Sequence, residues 1–563
     1  MVKIEPEGFK KEPEELKIIP LGGLGEIGLN MMVVEYDQTI FLIDAGLMFP
    51  EDHMLGVDIV IPEIDYIKEN RDRVKGIIIT HAHEDHIGAL VYLLKDIPIP
   101  VYGTEFTLGI IENKLQEFDL LNTTVLNEVA PGEVVSISPF EIEFIRVSHS
   151  IVGGVGLAIT TPLGLVVHTG DFRLNHCLKE SNTTDISRFA KCGEQGVLAL
   201  FSDSTNVERE GFSVSDQMVF DSLGKIIANS EGRVIIALFA SNIFRIQQII
   251  DIALKNKRKI VFNGRSIEQN VAVAKRLGYL DFPDDMVLNV KSVNSQPDNE
   301  VVIITTGSQG EPMSALSRMA TGYHKQINIK KGDSVTLSSK FIPGNEKAIA
   351  NIINNLYRRG ADVVYDKLAQ VHVSGHACRE ELKMMIHLTN PEYFIPIHGE
   401  YRHLVIHARL AENLGLVRKK VLLAENGRVI TFDENGGRIA GSVDTGRILV
   451  DGKGIGDVGR SVLKERRILS EDGLVVVSMI IDEETGIVLY GPELISKGFV
   501  FGSETGYLVD DAQCVILEIV EEIEAGVANR VDIIRSKLQK ALKQYFFFTI
   551  RRRPVIVPII IEI

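Results

Sequence analysis

A cluster of three histidines and two acidic residues, His-Ala-His-Glu-Asp-His, stands at positions 81–86, directly after the apolar run Gly-Ile-Ile-Ile at 76–79. A buried strand that ends in such a loop carries polar side chains to one edge of a sheet, where a rigid backbone can hold them around a metal. Imidazole nitrogens and carboxylate oxygens are ligands of Zn²⁺ or Mn²⁺. Because the chain has only 14 histidines in 563 residues, we interpret this cluster as a metal site rather than as a surface group of histidines.

Three further ligand-type residues stand where apolar runs end, and with the motif they complete a site for two ions. The predicted ligands of one ion are His81, His83 and His149, those of the other are Asp85, His86 and His398, and Asp171 lies between the two. Two ions in this arrangement lower the pKa of a shared water, orient it and stabilise charge on a phosphoryl group. Asp44, at the end of another apolar run, is predicted to orient a ligand histidine.

The composition is that of an ordinary globular protein, with 45% hydrophobic and 24% charged residues. A chain of 563 residues is long enough for about three domains. Residues 1–17 are charged and contain two prolines, unlike a signal peptide, and no apolar run approaches the roughly 20 residues of a membrane span. The formal charge of −16 neither supports nor excludes binding of nucleic acid, because carboxylates that bind metals contribute to it.

The four cysteines lie far apart in the sequence, at Cys177, Cys192, Cys378 and Cys514. This spacing argues against a disulfide framework and against a thiolate zinc site. It favours a reducing compartment such as the cytoplasm.

Gly23, Gly25 and Gly28 form a Gly-x-Gly-x-x-Gly pattern, with Asp44 downstream, as in dinucleotide-binding folds. That function requires a helix that begins at the glycines, so that its N-terminus faces the pyrophosphate. The residues that follow instead form two strand patterns around a turn at 37–38, which predicts a β-hairpin. We therefore rank nicotinamide binding last among the alternatives.

The pattern of apolar runs changes along the chain. Strands dominate up to residue 207, and strand–helix units alternate between about 210 and 370, with one helix predicted over 313–319. The continuous apolar strands of these units predict a parallel sheet covered by helices. Residues 433–458 are rich in Gly, Asp and Asn and are predicted as a linker, and residues 459–563 are predicted as a last module of strands and helices.

The ligand pattern resembles that of the metallo-β-lactamase superfamily, whose signature is His-x-His-x-Asp-His followed by distant His, Asp and His ligands. The α/β block between Asp171 and His398 resembles the β-CASP insertion of nucleic-acid nucleases in that superfamily. Three motifs of that family have counterparts in this chain. They are an acid, at Asp203, the His-Val-Ser-Gly-His segment at 372–376, and His398. With the segment Pro-Leu-Gly-Gly-Leu-Gly-Glu-Ile-Gly at 20–28 and its C-terminal module, the chain is similar to the ribonuclease J family over nearly its whole length.

The resemblance implies an α/β architecture: a metallo-β-lactamase αββα sandwich with an inserted parallel α/β β-CASP domain and a small α+β C-terminal domain. The implied boundaries are 1–208 and 371–432 for the two parts of the metallo-β-lactamase domain, 209–370 for the β-CASP domain, 433–458 for the linker and 459–563 for the C-terminal domain. The C-terminal domain is expected to mediate assembly into a homodimer or homotetramer.

The resemblance further implies a cytoplasmic ribonuclease that degrades single-stranded RNA 5′ to 3′ from a 5′-monophosphate end and also cuts endonucleolytically. It would act in RNA maturation, including that of ribosomal RNA, and in mRNA decay. The expected cofactors are two divalent metal ions per subunit, Zn²⁺ first, with Mn²⁺ or Mg²⁺ as alternatives. Hydroxide held by the metals would attack the phosphodiester and release products with a 5′-phosphate. Partners in an RNA-degradation complex are expected, and a membrane is not.

Catalytic roles are expected for three residues. His376 would assist the leaving oxygen or hold the scissile phosphate, Asp203 would orient a histidine or ligand, and Asp85 acts as a metal ligand. The residues predicted to bind substrate, chiefly through its phosphates, are His372, Val373, Ser374, Gly375, His376 and Ser241. His403 and His407, four residues apart on a predicted helix, lack a third ligand and are interpreted as packing residues.

Two other classes of function remain open from the sequence. The same metal site could serve a DNA nuclease or another hydrolase, for example of thioesters or lactones, because the 2′-OH contacts that select RNA are not visible in a sequence. A noncatalytic RNA-binding subunit is the other alternative, and the intact set of seven ligand residues weighs against it.

Overall fold

The computed structural model describes residues 15–174, 183–311, 313–341, 345–452, 454–499 and 506–563. Cys177 lies outside the described residues. The chain divides into two compact units, one formed by Met1–Met48 and Ile61–Arg447, the other by Phe49–Val60 and Ile448–Ile563. Among the described residues, no helix combines the length and apolar character needed to cross a membrane.

Two β-sheets lie face to face in the first unit. Within the described ranges, the first sheet has eight strands, in spatial order Gly436–Ser442, Arg428–Asp433, Leu16–Gly22, Met31–Tyr36, Thr39–Ile43, Val74–Ile78, Val101–Gly103 and Leu126–Glu128. The second has six, in the order Tyr393–Ile397, Val197–Asp203, Gly164–His168, Val155–Thr161, Phe140–Arg146 and Val134–Ile137. The sheets share one core, in which the rings of Phe41 and Phe140 meet edge to face with centroids 5.0 Å apart.

Helices cover the outer face of each sheet. Those on the first sheet are Asp65–Glu69, Leu90–Asp96 and Glu105–Glu117, and those on the second are Ile186–Gln195, Arg379–Thr389 and Tyr401–Asn413. Consecutive strand residues point to opposite faces, so Ile77 packs against the helices while Ile78 packs between the sheets. Because both faces are buried at residues 76–78, the strand Val74–Ile78 is apolar there, and its one charged residue, Lys75, is exposed. This four-layer arrangement is the predicted αββα sandwich.

The glycine-rich segment is followed by a hairpin, as predicted. Met31–Tyr36 and Thr39–Ile43 pair in antiparallel register. Gly23, Gly25 and Gly28 have φ values of 89°, 79° and 99°, which belong to a loop and not to the first turn of a helix. The dinucleotide-binding interpretation is therefore wrong.

A parallel sheet is inserted between two adjacent strands of the second sheet. Its strands, in spatial order, are Lys259–Asn263, Val301–Thr305, Val234–Ala237, Ser334–Leu337 and Asp362–Val364. One face is covered by Asp216–Asn229, Ile243–Lys255 and Arg265–Arg276, and the other by Ala315–Thr321 and Glu346–Arg358. The helix predicted over 313–319 begins instead at Ala315, because the hydroxyl of Ser314 caps it by accepting the N–H of Ser317.

The insertion leaves and re-enters the second sheet on neighbouring strands. Val197–Asp203 and Tyr393–Ile397 run parallel, and Asp203 stands opposite Ile397. The segments that follow both strands therefore emerge at the same edge of the sheet. Leu24–Gly25 pairs with Gly399–Glu400 at this edge.

The segment 433–458, predicted as a linker, forms strands over much of its described length. Gly436–Ser442 forms a hairpin with Arg428–Asp433 and extends the first sheet, and a separate small sheet consists, in order, of Gly454–Ile455, Arg447–Asp451 and Ile59–Pro62. The Asn and Gly residues that suggested a linker make the hairpin turn, where the N–H of Asn435 bonds Asp433 Oδ1 at 2.7 Å.

The C-terminal part of the second unit is an α+β structure, as predicted. Leu474–Ile481 is its central strand, antiparallel to Val488–Lys497 and parallel to Val555–Glu562. The helices are Arg460–Asp472, Gly506–Glu521 and Arg530–Ile550. The last two pack on one face of the sheet and form a core with it.

Candidate metal centre

The histidine motif follows the strand Val74–Ile78 and continues into the short helix Glu84–Ile87, which contains Asp85 and His86. Two loops hold this segment through their backbone, one before the strand Met31–Tyr36 and one after the strand Thr39–Ile43. The N–H of Asn30 bonds the carbonyl of Asp85 at 3.1 Å, and the N–H of Ala45 bonds the carbonyl of His86 at 2.7 Å. The position of the motif is thus set by the segment that follows the glycine-rich loop.

Three imidazole nitrogens converge at the first predicted ligand set. His83 Nδ1 lies 3.0 Å from His81 Nε2 and 3.1 Å from His149 Nε2. Two nitrogens bound to one tetrahedral zinc at about 2.05 Å would be about 3.3 Å apart, so these separations fit a single ion. The three side chains have the chemistry and spacing of a three-histidine site.

Asp85, His86 and His398 form the second predicted set. Asp85 Oδ2 lies 3.7 Å from His86 Nε2 and 3.9 Å from His398 Nε2. Asp171 Oδ2 stands between the sets, 3.1 Å from His398 Nε2 and 3.8 Å from both His81 Nε2 and His149 Nε2. All seven predicted ligands are therefore in one cluster, with the Asp171 carboxylate between the two sets.

The histidines of the two sets differ in their affinity for protons. Burial lowers the pKa of His81 and His149 well below the usual value and lowers that of His83 to about 4. Burial also opposes a charge on His398, but the Asp171 carboxylate outweighs it and raises the pKa of His398 to about 9. The pKa of His86 is raised in the same way. The first set is thus neutral and ready to bind a cation, whereas a cation at the second must displace protons.

The outward ring nitrogens of the ligands have acceptors that fix their orientation. The Nδ1–H of His149 donates to the carbonyl of Gly375 at 2.8 Å, and that of His398 to Asn30 Oδ1 at 3.0 Å. The Nδ1–H of His86 donates to Asp44 Oδ2 at 2.8 Å. In the neutral form of each ring, the bond places the proton on Nδ1 and leaves Nε2 to face the cluster as a ligand atom, as metal binding requires. These contacts are an independent sign that the residues fit a metal.

Asp44 itself is held in place by Thr80. Asp44 has a φ of 62°, and its Oδ1 accepts the backbone N–H of Thr80 at 2.8 Å. The Thr80 hydroxyl donates to Asp44 Oδ2 at 2.8 Å and lies 3.1 Å from His81 Nδ1, whose N–H it can accept. One carboxylate thus orients His86 directly and His81 through Thr80.

His376 adjoins the cluster and contacts Asp203. The Nδ1–H of His376 donates to Asp203 Oδ2 at 2.8 Å, and Nδ1 lies 3.9 Å from Asp171 Oδ2. Burial alone would lower the pKa of His376, but the Asp203 carboxylate raises it overall. The amide of Asn206 fixes the loop by donating to Ser374 Oγ at 2.6 Å and to the His376 carbonyl at 3.0 Å.

Two of the other predicted substrate residues line a small cleft beside His149. Val373 and Ser374 line it, together with Ser148, Asn242, Phe244 and the buried side chains of Arg173, Asp216 and Arg245. Ser241 lies at its metal side, with Oγ 3.0 Å from His83 Nε2. His372 stands apart from the ligand cluster, and burial together with Arg245 and Arg209 lowers its pKa to about 3. Gly375 contributes its carbonyl to His149.

His403 and His407 do not belong to a ligand group in the described part of the chain. His407 is fully buried, its ring lies edge to face against Phe394 at 4.8 Å, and its Nδ1 is 3.0 Å from Ser204 Oγ. Burial lowers its pKa to about 3. Both are consistent with a packing role.

Asn30, Thr80 and Asn206 are site residues that the sequence did not point out. Each acts by a side-chain hydrogen bond, two of them to residues more than 150 positions away. The available signal was local: Asn30 follows the glycine-rich segment, and Thr80 directly precedes the motif.

Profiles of known families match four segments of the chain. They are the Metallo-beta-lactamase superfamily at 24–190, the Ribonuclease J beta-CASP domain at 231–356, the Zn-dependent metallo-hydrolase RNA specificity domain at 361–424 and the Ribonuclease J C-terminal domain at 461–563. The chain is 43% identical over 554 residues to Ribonuclease J2 of Bacillus subtilis (strain 168), covering 98% of this chain and 100% of that protein. The chain belongs to the ribonuclease J family. Membership makes it a metal-dependent ribonuclease.

Other comparisons agree with this assignment. Ribonuclease J 2 of Staphylococcus aureus (strain NCTC 8325 / PS 47) is 41% identical over 558 residues, which cover 99% of this chain and 100% of that protein. A crystal structure of a protein of unknown function from Enterococcus faecalis V583 superposes with a TM-score of 0.54 at 17% identity and covers 74% of this chain and 100% of that one. The second comparison concerns the fold alone.

Proposed function

We propose that this ribonuclease J family member is a cytoplasmic enzyme that degrades RNA 5′ to 3′ from a 5′-monophosphate end and also cleaves it internally. Its role is in RNA maturation and mRNA decay. The observation that carries the proposal is the cluster of seven metal-binding side chains beside the His376–Asp203 pair and a cleft with buried arginines.

The donor set fits two divalent cations. His81, His83 and His149 would hold one, Asp85, His86 and His398 would hold the other, and Asp171 lies within reach of both ligand sets. Mixed nitrogen and oxygen donors suit Zn²⁺ best, with Mn²⁺ and Mg²⁺ as alternatives. Such ions, when bound, supply activation of water and neutralisation of phosphoryl charge.

His376 supplies a proton in this reaction. The oxygen of a water molecule attacks phosphorus and one proton of that water leaves to solvent, while the bond from phosphorus to the 3′ oxygen breaks and the next nucleotide keeps a 5′-phosphate. The departing 3′ oxygen needs a proton. His376 can donate it from Nε2, because Asp203 holds Nδ1–H and raises the pKa of the imidazole.

The cleft beside His149 is proposed to take the 5′ end. Arg173 and Arg245 both bind the Asp216 carboxylate, so the three buried groups carry one net positive charge. A 5′-monophosphate is a compact dianion that this charge attracts, and Ser374 and Ser241 offer hydroxyls at the rim. His372, Val373 and Gly375 complete the proposed phosphate-binding loop.

Self-association is proposed to occur through the C-terminal sheet. Val557, Ile559 and Ile561 are 39%, 48% and 52% exposed, while Ile556 and Ile560, which alternate with them along the strand, face the helices of the same unit. An apolar sheet face of this kind, next to a strand edge, favours association with another chain.

The decisive experiment incubates end-labelled RNA carrying a 5′-monophosphate or a 5′-triphosphate with the protein, with and without Mn²⁺. Rapid release of mononucleotides from the monophosphate form alone is the expected result. Equal turnover of a DNA oligomer would favour a broader nuclease. Binding of RNA without cleavage, after metal is restored, would favour a noncatalytic subunit.

A further inference from the structure

Glu381 is a fully buried carboxylate that makes four hydrogen bonds. It lies in the first turn of the helix Arg379–Thr389. Its Oε1 accepts the N–H of Leu174 at 2.9 Å and the hydroxyl of Ser213 at 2.8 Å. Its Oε2 accepts the N–H of Ser213 at 2.9 Å and that of Cys378 at 2.7 Å. All four partners are donors, so the site requires an acceptor at both oxygens.

Only the bond from Cys378 is a local helix cap; the other three reach distant segments. Leu174 follows the metal-ligand candidate Asp171, and Ser213 lies in the loop between Asp203 and the helix Asp216–Asn229. Cys378 itself follows His376. The first residues of the helix Arg379–Thr389 also bind the loop that contains Ser213. The N–H groups of residues 379 and 380 donate to the carbonyls of residues 209 and 211 at 2.9 and 3.1 Å.

The three segments meet again at the reactive centre. His376 Nδ1 lies 2.8 Å from Asp203 Oδ2 and 3.9 Å from Asp171 Oδ2. The buried Glu381 carboxylate therefore hydrogen-bonds to the same three chain segments whose side chains meet at the reactive centre.

We propose that Glu381 is a positioning residue, which sets Asp171 relative to His376 and Asp203 and thereby sets both metal affinity and the rate of the chemical step. The proposal rests on the ribonuclease function proposed above. A helix cap alone would need only the bond to Cys378, whereas the bond to Leu174 bears on the segment of Asp171.

Glu381→Gln separates these two roles. An amide nitrogen in place of Oε2 would face two backbone N–H groups, so the amide oxygen must take that place and keep the cap. The amide nitrogen then replaces Oε1. The Ser213 hydroxyl can rotate to accept from it, but the N–H of Leu174 loses its acceptor. The substitution thus releases the segment of Asp171 and leaves the start of the helix intact.

The test measures Mn²⁺ affinity by titration calorimetry, and kcat and KM on 5′-monophosphorylated RNA, for the full-length wild type and three variants. Partners that orient ligands change metal affinity or activity by about 10- to 100-fold. Because Glu381 acts through the backbone, we expect the low end for Glu381→Gln: about tenfold weaker Mn²⁺ binding and about tenfold lower kcat, with KM within about twofold.

Two further variants keep the test decisive. Glu380→Gln, on the same helix turn, changes a 39% exposed side chain that pairs with Lys383 and should match the wild type. Ser213→Ala removes one donor to Oε1 and leaves the Leu174 bond, so its Mn²⁺ affinity should stay within about threefold of the wild type.

Wild-type Mn²⁺ affinity and kcat in Glu381→Gln, with only a lower melting temperature, would overturn the proposal and leave Glu381 a purely structural residue. If the wild type does not cleave RNA, the proposed function fails, but the Mn²⁺ titration still tests the positioning role. The two failures are therefore distinguishable.

Discussion

Replacing Asp44 with asparagine is predicted to weaken metal binding without disturbing the fold. Asparagine tolerates the φ of 62° at this position and can still accept the N–H of Thr80 through its oxygen. The amide nitrogen then takes the place of Oδ2, which in the wild type accepts the Nδ1–H of His86 at 2.8 Å. Since the amide can only donate there, His86 must carry its proton on Nε2, the atom that faces Asp85 and Asp171.

Two effects of opposite sign set the magnitude. Loss of the Asp44 charge lowers the pKa of His86, which reduces competition from protons, but Asp171 and Asp85 raise this pKa more than Asp44 does and both remain. The His86 tautomer that carries its proton on Nε2, by contrast, cannot use this nitrogen as a metal ligand. Substitution of a ligand's partner costs about 10- to 100-fold in metal affinity, or about 1.4 to 2.7 kcal/mol. We therefore expect a loss within this range.

The assay is Zn²⁺ or Mn²⁺ affinity by competition with a chelator, followed by RNA cleavage at saturating metal. Asp37→Asn is the matched control, because Asp37 also has a positive φ, 51°, but lies exposed in the hairpin turn. Its metal affinity should equal that of the wild type. Unchanged affinity in Asp44→Asn, with both proteins folded by circular dichroism, would refute the tautomer argument.

Other predictions concern the ligands, the proton donor, a buried histidine and the C-terminal sheet. Asp85→Ala and His86→Ala should each abolish RNA cleavage while the circular dichroism spectrum stays native. His376→Ala should lower kcat by about 10²- to 10⁴-fold and change RNA affinity little, as single-turnover and binding assays can separate. His407, whose pKa burial lowers to about 3, is neutral when folded. Stability should therefore fall as the pH drops from 6.5 towards 3, by at most about 1.4 kcal/mol per unit, and His407→Leu should flatten this dependence in urea titrations. Ile559→Asp should lower the molar mass measured by light scattering if the exposed sheet face joins subunits.

The metal site could be predicted from the sequence because its ligands follow strands. His81, His149 and His398 each come after an apolar run, and the sheets carry these runs to a common edge. The hairpin and the inserted parallel sheet could also be predicted from the sequence, because each has a characteristic pattern of apolar residues. The two interpretations of the glycine-rich segment, a dinucleotide-binding helix and a hairpin, could be distinguished for the same reason. A helix and a hairpin differ in the period of their apolar residues.

Residues that act through single long-range hydrogen bonds could not be predicted. Asn30 reaches His398 across 368 positions and Glu381 reaches Leu174 across 207, and neither leaves a periodic or spacing signal. The prediction of a linker over 433–458 was wrong for a different reason. Gly and Asn mark turns in hairpins and in linkers alike, and the alternation of its strands is weak because most of their side chains are half-buried or exposed.

The position of the insertion explains why one site uses residues from so many parts of the chain. Asp203 ends the last strand before the inserted sheet, and His398 follows the first strand after it; these strands are neighbours in register. The insertion therefore begins and ends beside the metal ligands, and its loops at Ser241 and His376 return to them, with Ser241 Oγ 3.0 Å from His83 Nε2 and His376 bound to Asp203. A parallel sheet placed at this point adds loops beside the candidate site without moving a ligand residue, because the paired strands on either side keep the register of the sandwich.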